Sequence, residues 1–259
     1  MSIYQHFRKD EHPFIDQVLE WKDIVQTRYT AKLTDFLDPR QQEIVRSVIG
    51  KDEEILLSFD GGFNGPVERR RALIAPFYES NERGQFELVL LELTYPGRFV
   101  ELSHRDLLGA LMSLGVRREK FGDIVKQGDT FQFLVAKEIA TFVEMNLTSV
   151  GNTSVSLRTL PLAQALTVTE EWSEAKGFVK SFRLDVLLAE IYRLSRTKAL
   201  PFIEKGRVKV NWQTIEEPSF IVEPGDFISV RGLGRSKLLS IEGESKKGSF
   251  FIHYGKKIK

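Results

Sequence analysis

The cations at the start of one short predicted helix are the side chains best placed to do chemistry. Ser195 is a candidate N-cap, and Arg196 and Lys198 follow in the first turn of a helix predicted over 196–205. A helix without a ligand usually carries Asp or Glu there, because each cation beside the positive end of the helix dipole costs roughly 0.3–1 kcal/mol. Two cations at this position favour a docked anion such as a phosphate group. The alternative is that both side chains point into water.

Cations on the neighbouring predicted elements extend this basic patch. Arg183 precedes a helix whose apolar residues begin at Leu184 and recur at positions i, i+3, i+4 and i+7. Gly206 is placed to end the second helix, and Arg207 and Lys209 lie on the strand after it. The sequence therefore predicts two short helices packed on a small curled sheet. The strands of that sheet are predicted at 207–210, 227–231, 238–242 and 249–254.

The charge is distributed unevenly along the chain. The 259 residues carry a formal net charge of +1, but residues 178–259 hold 16 basic and 9 acidic side chains and are therefore +7. The remaining residues are −6. An acidic body joined to a basic segment suggests a polyanionic partner for that segment. A solvated basic face without a partner is an equally good interpretation of the charge alone.

The composition excludes several classes of protein. There is no cysteine, which removes disulfides, Cys-containing zinc sites, iron–sulfur clusters and thiol nucleophiles. The four histidines do not cluster, and no apolar run is long enough to span a membrane. The first ten residues lack the apolar core of a signal peptide. We therefore expect a soluble cytoplasmic protein with no metal, no cofactor and no membrane partner.

Four segments are predicted along the chain. They are a mainly helical segment at 1–70, a mixed segment at 71–160, a linker at 161–177 and the basic segment at 178–259. In the first segment, helical spacing predicts a helix over 3–28. A second helix opens at Asp38-Pro39 and ends at Gly50. A strand is predicted after it at 54–59.

The mixed segment alternates in the order strand–helix–strand–strand–helix–strand, which is typical of the ferredoxin-like plait. Strands are predicted at 72–78, 86–95, 123–126, 130–135 and 154–160, and helices at 103–115 and 136–145. Ser103 is the candidate N-cap of the first of these helices. RNA-recognition motifs share this topology, but so do many metabolic proteins. The predicted fold class of the whole chain is α+β.

The basic segment resembles the S4 RNA-binding domain over residues 181–235. The resemblance rests on Arg183-Leu184-Asp185, Ser195-Arg196-Thr197-Lys198-Ala199, Gly206-Arg207-Val208-Lys209-Val210-Asn211 and Pro224-Gly225-Asp226. It implies that the two helices and the adjoining loop grip structured RNA. Pro201 departs from the pattern, and we expect it to kink the second helix. The candidate RNA-binding residues are Arg183, Ser195, Arg196, Lys198, Arg207, Lys209, Asn211, Arg231 and Arg235.

The chain as a whole is similar to the bacterial YlmH family. The residues that carry this resemblance are Asp60-Gly61-Gly62-Phe63, Glu68-Arg69-Arg70-Arg71-Ala72, the segment 103–115, Arg118 and Gly122-Asp123-Ile124. Membership implies a non-enzymatic RNA-binding protein of the large ribosomal subunit that acts in the rescue of stalled translation. The implied partners are ribosomal RNA of the large subunit, peptidyl-tRNA and other quality-control factors.

Two other classes of protein remain open at this point. Pseudouridine synthases often carry an S4 domain and bear a catalytic Asp, but neither Arg183-Leu184-Asp185 nor His104-Arg105-Asp106 completes their signature. His104-Arg105-Asp106 also imitates the kinase catalytic loop, although Leu111 stands where that loop needs Asn. An RNA-modifying enzyme of the pseudouridine-synthase type would need its active site within 71–160.

The second class is a translation- or division-linked protein scaffold that uses the acidic body.

Several motifs have both a structural and a functional interpretation. His104 and Asp106 are expected to cap a helix, or else to form a second RNA-facing surface with Arg105, Arg117 and Arg118. The run Arg69-Arg70-Arg71 is expected to be either a solvated run or an RNA contact. Trp212 and Phe220 could stack on bases, but strand spacing favours the core for both.

Overall fold

The computed structural model describes residues 3–80, 82–97, 100–244 and 248–257. Their contacts divide the chain into two compact units, Met1–Thr169 and Glu170–Lys259. Mixed α+β structure in both confirms the predicted fold class. No helix among the described residues is long and apolar enough to cross a membrane.

The first unit begins with two helices packed on a three-stranded sheet. Its elements are α1 (His12–Arg28), β1 (Lys32–Leu37), α2 (Pro39–Ile49), β2 (Ile55–Asp60) and β3 (Arg70–Pro76). Asp38 caps α2 by accepting a hydrogen bond from the Gln41 amide at 2.8 Å, while the Gln41 side chain accepts one from the Asp38 amide. Gly50 follows α2 with φ of 68°, so the predicted start and end of this helix are confirmed.

Strand β3 lies in the middle of this first sheet, in the order β1-β3-β2, and pairs antiparallel with both neighbours. It overlaps the strand predicted at 72–78, which the sequence places in the mixed segment, and ends two residues earlier. A hydrophobic pattern indicates that a strand is buried but does not say which strands flank it, and this is why the sequence placed β3 with the wrong neighbours.

Two members of the arginine run on and before β3, Arg69 and Arg71, are bound within the fold, so for these two neither interpretation from the sequence holds. Arg71 is only 4% exposed and donates to the backbone carbonyls of Thr34 at 2.7 Å and Phe86 at 3.1 Å. Arg69 donates to the carbonyls of Phe36 and Phe121. The guanidinium groups therefore tie together carbonyls that would otherwise be buried without donors.

A four-stranded antiparallel sheet with two helices forms the rest of the first unit. Its elements are β4 (Leu88–Thr94), α3 (His104–Ser113), β5 (Phe121–Gln127), β6 (Thr130–Ala136), α4 (Lys137–Asn146) and β9 (Ser156–Leu160), with a small hairpin of β7 (Ser149–Val150) and β8 (Thr153–Ser154) before β9. The strand order β5-β6-β4-β9 is the order of a ferredoxin-like plait. The predicted plait is therefore confirmed.

The motif that imitates a kinase loop is the start of α3. The Asp106 carboxylate accepts hydrogen bonds from the Ser103 amide and hydroxyl, and the Asp106 amide donates to the Ser103 hydroxyl at 3.3 Å. These bonds to Ser103 lower the pKa of Asp106. This reciprocal capping confirms the predicted N-cap and supports the structural interpretation of Asp106.

Residues 161–168, within the predicted linker, pack on the first unit. The Val168 amide donates to the Asn64 carbonyl at 2.8 Å, and the Leu166 amide donates to the Gln132 side chain at 2.9 Å. Ala165 is buried with Phe36 and Leu134. The structure therefore differs from the predicted linker, because weak apolar patterning hid a segment held by backbone hydrogen bonds.

The second unit is a six-stranded antiparallel sheet with two helices on one face. Its elements are β10 (Trp172–Val179), α5 (Leu184–Tyr192), α6 (Arg196–Glu204), β11 (Val208–Val210), β12 (Gln213–Thr214), β13 (Phe227–Val230), β14 (Gly234–Glu244) and β15 (Phe250–Lys257). The strand order is β10-β15-β14-β13-β11-β12. Strands β14 and β15 form the predicted closing hairpin, while β10 extends the sheet from residues expected to be linker.

The core of the second unit lies between the helices and the sheet. The apolar face of α5, with Leu184, Leu187 and Leu188, packs with inward side chains such as Ile228 and Tyr254. Helix α6 continues through Pro201 to Glu204. Gly206 and Arg207 end it in a Schellman motif, donating to the carbonyls of Ile203 and Phe202 at 2.9 Å.

Candidate nucleic-acid interface

The start of α6 has the geometry of an anion site. The Ser195 hydroxyl accepts a hydrogen bond from the Lys198 amide at 3.3 Å, which confirms the predicted N-cap. The amides of Arg196 and Thr197, in the first two positions, have no acceptor within the helix. No acidic residue lies in this first turn, and the surrounding side chains are exposed. Two backbone donors and two cations therefore face solvent together.

The start of α5 is closed instead. The Leu184 amide donates to the Phe220 carbonyl at 2.8 Å, and the Asp185 amide donates to the Pro218 carbonyl at 3.2 Å. Carbonyls from the 218–220 segment thus occupy the place that an anion would need. Of the two helices, only α6 presents an open N-terminus.

Asp185 joins two of the candidate cations. Its carboxylate is 1% exposed and accepts hydrogen bonds from Arg183 Nε at 3.0 Å and from an Arg196 terminal nitrogen. The side chains of Arg183 and Arg196 are 40% and 62% exposed. Each guanidinium has five N–H donors, so most donors of both groups remain available to a ligand. The cluster keeps one net positive charge and is held in a fixed orientation.

The hydrogen bonds also decide the charge state of Asp185. Burial alone would raise the pKa of this carboxyl, but hydrogen bonds from Arg183 and Arg196 and the charges of both arginines outweigh burial and lower the pKa. Sequence reasoning treated Asp185 only as part of a motif. The signal that could have identified it is a single acid in the first turn of α5 among several cations.

Replacing Asp185 by asparagine is expected to destabilise the second unit by about 1–3 kcal/mol at pH 7, because two charge-assisted bonds are lost. Since folding lowers the pKa of Asp185, its contribution is present above the ordinary carboxyl value of about 4 and disappears as pH falls through the folded value. The difference between wild type and Asp185→Asn should therefore shrink below about pH 4.

Urea unfolding followed by Trp172 and Trp212 fluorescence, in a Trp21→Phe background, measures this difference. Both reporters lie in the second unit, whereas Trp21 lies in the core of the first. A difference that stays constant from pH 7 to pH 3 would show that the carboxylate does not hold the two arginines.

The remaining candidates lie on the sheet. The Arg231 amide donates to the Arg207 carbonyl at 2.9 Å, so these two residues are neighbours beyond the far end of α6. A nine-residue helix rises about 13 Å, which separates them from the α6 start. Lys209 and Arg235 both pair with Ser229 from opposite sides and share the outward face. The candidate cations therefore lie in three separate places: at the start of α6, beyond its far end, and on the outward face of the sheet.

Asn211 is committed within the fold. Its side chain donates to the Asp226 carboxylate at 2.7 Å and accepts from the Phe227 amide at 3.0 Å. Its backbone has φ of 47° at the tight turn between β11 and β12. Asn211 therefore positions the turn, and both ends of its amide are already engaged.

The predicted second RNA surface on the first unit does not form as a cluster of free cations. Arg117 pairs with Asp35 at 3.1 Å. Arg118 donates to the carbonyls of Phe121 and Gly122. Burial, followed by repulsion from Arg69, lowers the pKa of Arg118 to about 10. Arg118 is therefore bound within the fold of the first unit, whereas Arg117, whose side chain is 71% exposed, makes a surface ion pair.

Comparisons with known proteins agree with this architecture. Three family models match: "YlmH, N-terminal" at residues 10–79, "Putative RNA-binding domain in YlmH" at 81–164 and "S4 domain" at 182–228. The ribosome-associated protein quality control protein P2 of Bacillus subtilis is 45% identical over 253 residues, covering 98% of each chain. The small ribosomal subunit protein uS4 of a Thermoanaerobacter species is 40% identical over 55 residues, which are 21% of this chain and 27% of that protein.

A solved structure gives the same result. The cell division protein ylmH from Streptococcus pneumoniae aligns with a TM-score of 0.53 and 31% identity, over 63% of this chain and 98% of that one. The fold and the open start of α6 thus define a protein that carries an RNA-binding module of the S4 class. The near full-length likeness is more specific, and the chain belongs to the YlmH family.

Proposed function

We propose that this protein is a non-enzymatic RNA-binding factor that acts on the large ribosomal subunit and peptidyl-tRNA in the rescue of stalled translation. The observation that carries the proposal is the open first turn of α6, with Arg196 and Lys198 beside two free backbone amides. Phosphate is the anion that such a site fits best. The name of the Bacillus subtilis relative supports the ribosomal setting.

The proposed contacts differ in their roles. Arg196 and Lys198 bind phosphate at the start of α6, and Arg183 joins them through the shared Asp185 carboxylate. Arg207 and Arg231 extend the electropositive surface along the sheet. Ser195 keeps the helix start open to the ligand, and Asn211 acts indirectly by holding its turn.

Charge reversal at the start of α6 tests the proposal. We expect Arg196→Glu to lower the fraction of full-length protein that co-sediments with purified large subunits by at least tenfold, because it replaces a phosphate contact with repulsion. The matched control is Lys205→Glu, which makes the same charge change at the exposed opposite end of the same helix. The control should stay bound.

Two results would contradict the proposal. One is unchanged co-sedimentation of Arg196→Glu, and the other is equal loss with Lys205→Glu. Crosslinking of wild-type protein to RNA in cells adds the identity of the target. Crosslinks from the 183–198 region should map to large-subunit ribosomal RNA and to tRNA, and crosslinks confined to the small subunit or to messenger RNA would overturn the assignment.

A further inference from the structure

The face of the second unit's sheet that points away from α5 and α6 carries an unusual set of side chains. Core and outward residues alternate along β11 and β13, where Val208, Val210 and Ile228 are buried. Lys209 and Phe227 therefore lie on the opposite, outward face. The proposed function uses Arg207 and Arg231, just beyond the ends of β11 and β13, but assigns no ligand to the outward face itself.

Three aromatic rings and a lysine cross this face from one edge of the sheet to the other. The ring centroids of Trp212 and Phe227 are 5.4 Å apart, and those of Phe227 and Trp172 are 5.8 Å apart. The ammonium group of Lys237 lies 4.5 Å from the Phe227 centroid. Gly255 leaves room for Trp172, since a Cβ there would lie 3.0 Å from the Trp172 Cβ. We call Trp172, Phe227, Lys237 and Trp212 the aromatic stripe.

Trp212 occupies a backbone position that does not suit it. It is the second residue of the two-residue turn between β11 and β12, where Asn211 and Trp212 have φ of 47° and 64°. Such turns favour glycine at this position, because a side chain in the left-handed region costs about 1–2 kcal/mol. A bulky aromatic residue kept there at a cost in stability points to a role in binding.

A basic row runs beside the aromatic stripe. Thr214, Lys209, Ser229 and Arg235 are neighbours across four strands, and none of them is acidic. The acidic side chains Glu170, Glu174 and Glu242 lie around the Trp172 end of this face, where Glu170 accepts a hydrogen bond from Trp172 Nε1 at 3.3 Å, Glu174 is 2.9 Å from His253 and Glu242 is 3.1 Å from Lys176. The basic row lies instead beside the end of the aromatic stripe formed by Trp212 and Phe227.

We propose that the aromatic stripe and the basic row bind a single-stranded RNA segment, with bases stacked on Trp212 and Phe227 and phosphates next to Lys209. Aromatic rings beside a basic row are the arrangement by which proteins hold unpaired nucleotides. The inference rests on the proposed function in that the second unit binds RNA, but it adds a second contact of different chemistry on the opposite face.

Fluorescence of the full-length chain with a 12-nucleotide oligouridylate tests the inference. In a Trp21→Phe background, only Trp172 and Trp212 report, and stacking should quench them. We expect Trp212→Gly to weaken binding about 5- to 150-fold, the range for loss of one stacked base. Because this variant lacks the quenched reporter, its affinity and that of wild type are compared by the anisotropy of an end-labelled oligouridylate. Glycine suits the left-handed turn, so this variant should fold.

The controls separate this surface from the α6 site. Phe178→Ala removes another ring on the same face, 60% exposed but near the paired carboxylates, and should leave oligouridylate binding unchanged. Arg196→Glu should weaken large-subunit binding while retaining the quenching. No quenching by the oligomer, or equal affinity of Trp212→Gly and wild type, would overturn the inference even where Arg196→Glu behaves as proposed.

Discussion

Replacing Arg71 by alanine is expected to destabilise the first unit by about 3–5 kcal/mol. The change removes a buried guanidinium and takes away the side-chain donor of the Thr34 and Phe86 carbonyls, while the Glu87 carbonyl keeps the Lys137 amide as a donor. Each buried polar group left unpaired costs roughly 1–3 kcal/mol. Arg71 links β1 to the residues just before β4. The three-stranded and the four-stranded sheet of the first unit should therefore both lose stability.

Native-state hydrogen exchange of the full-length chain measures the effect at the amides of β1, β3 and β6. The control is Arg158→Ala, which removes a 64% exposed arginine paired with Glu92 and should cost less than 1 kcal/mol. Should Arg71→Ala aggregate, Arg71→Lys keeps the charge with a smaller loss. Protection losses no larger than those of Arg158→Ala would show that the buried arginine is dispensable.

Neutralising both cations at the start of α6 is expected to weaken binding to large subunits by about 25- to 60-fold at 0.1 M salt. Each phosphate neutralised contributes roughly 0.7–0.9 to the slope of log K against log salt. The double variant Arg196→Gln/Lys198→Gln should therefore flatten the slope by about 1.4–1.8. Both side chains are exposed and lie in the first turn of α6, beside the two backbone amides proposed to bind the RNA backbone.

Titration of labelled full-length protein with purified large subunits between 50 and 300 mM KCl gives that slope. The double variant Lys205→Gln/Lys180→Gln removes the same charge from two other exposed positions of the second unit and should change the slope by less than half a unit. A weaker affinity with an unchanged slope would mean that Arg196 and Lys198 do not meet phosphates.

The sequence predicts those elements whose signals are local. The helix boundaries could be predicted because a cap depends only on the residues next to it in sequence. The boundaries predicted in this way are Asp38, Gly50, Ser103 and Ser195. The plait follows from element order. The sequence does not predict strand β10, because its residues pair with β15, more than seventy positions later. No local pattern within 172–179 indicates that pairing.

The candidate site was predicted in part for the same reason. The open start of α6 could be predicted, since capping residues and charges are adjacent in sequence. The closed start of α5 could not, because its acceptors come from the 218–220 segment. The burial of Arg69 and Arg71 could not be predicted either, because the carbonyls that accept their hydrogen bonds are distant in sequence.

The pairing of β10 with β15 has a consequence for synthesis of the chain. Trp172 lies opposite Lys257, so the strand that opens the second sheet stays without a partner until the residues of β15 have left the ribosome. The plait, complete by Leu160, can fold while translation continues. Contacts so distant in sequence also form slowly. During synthesis the folded first unit is therefore followed by β10 as an unpaired strand. This state lasts for the time needed to add about eighty residues.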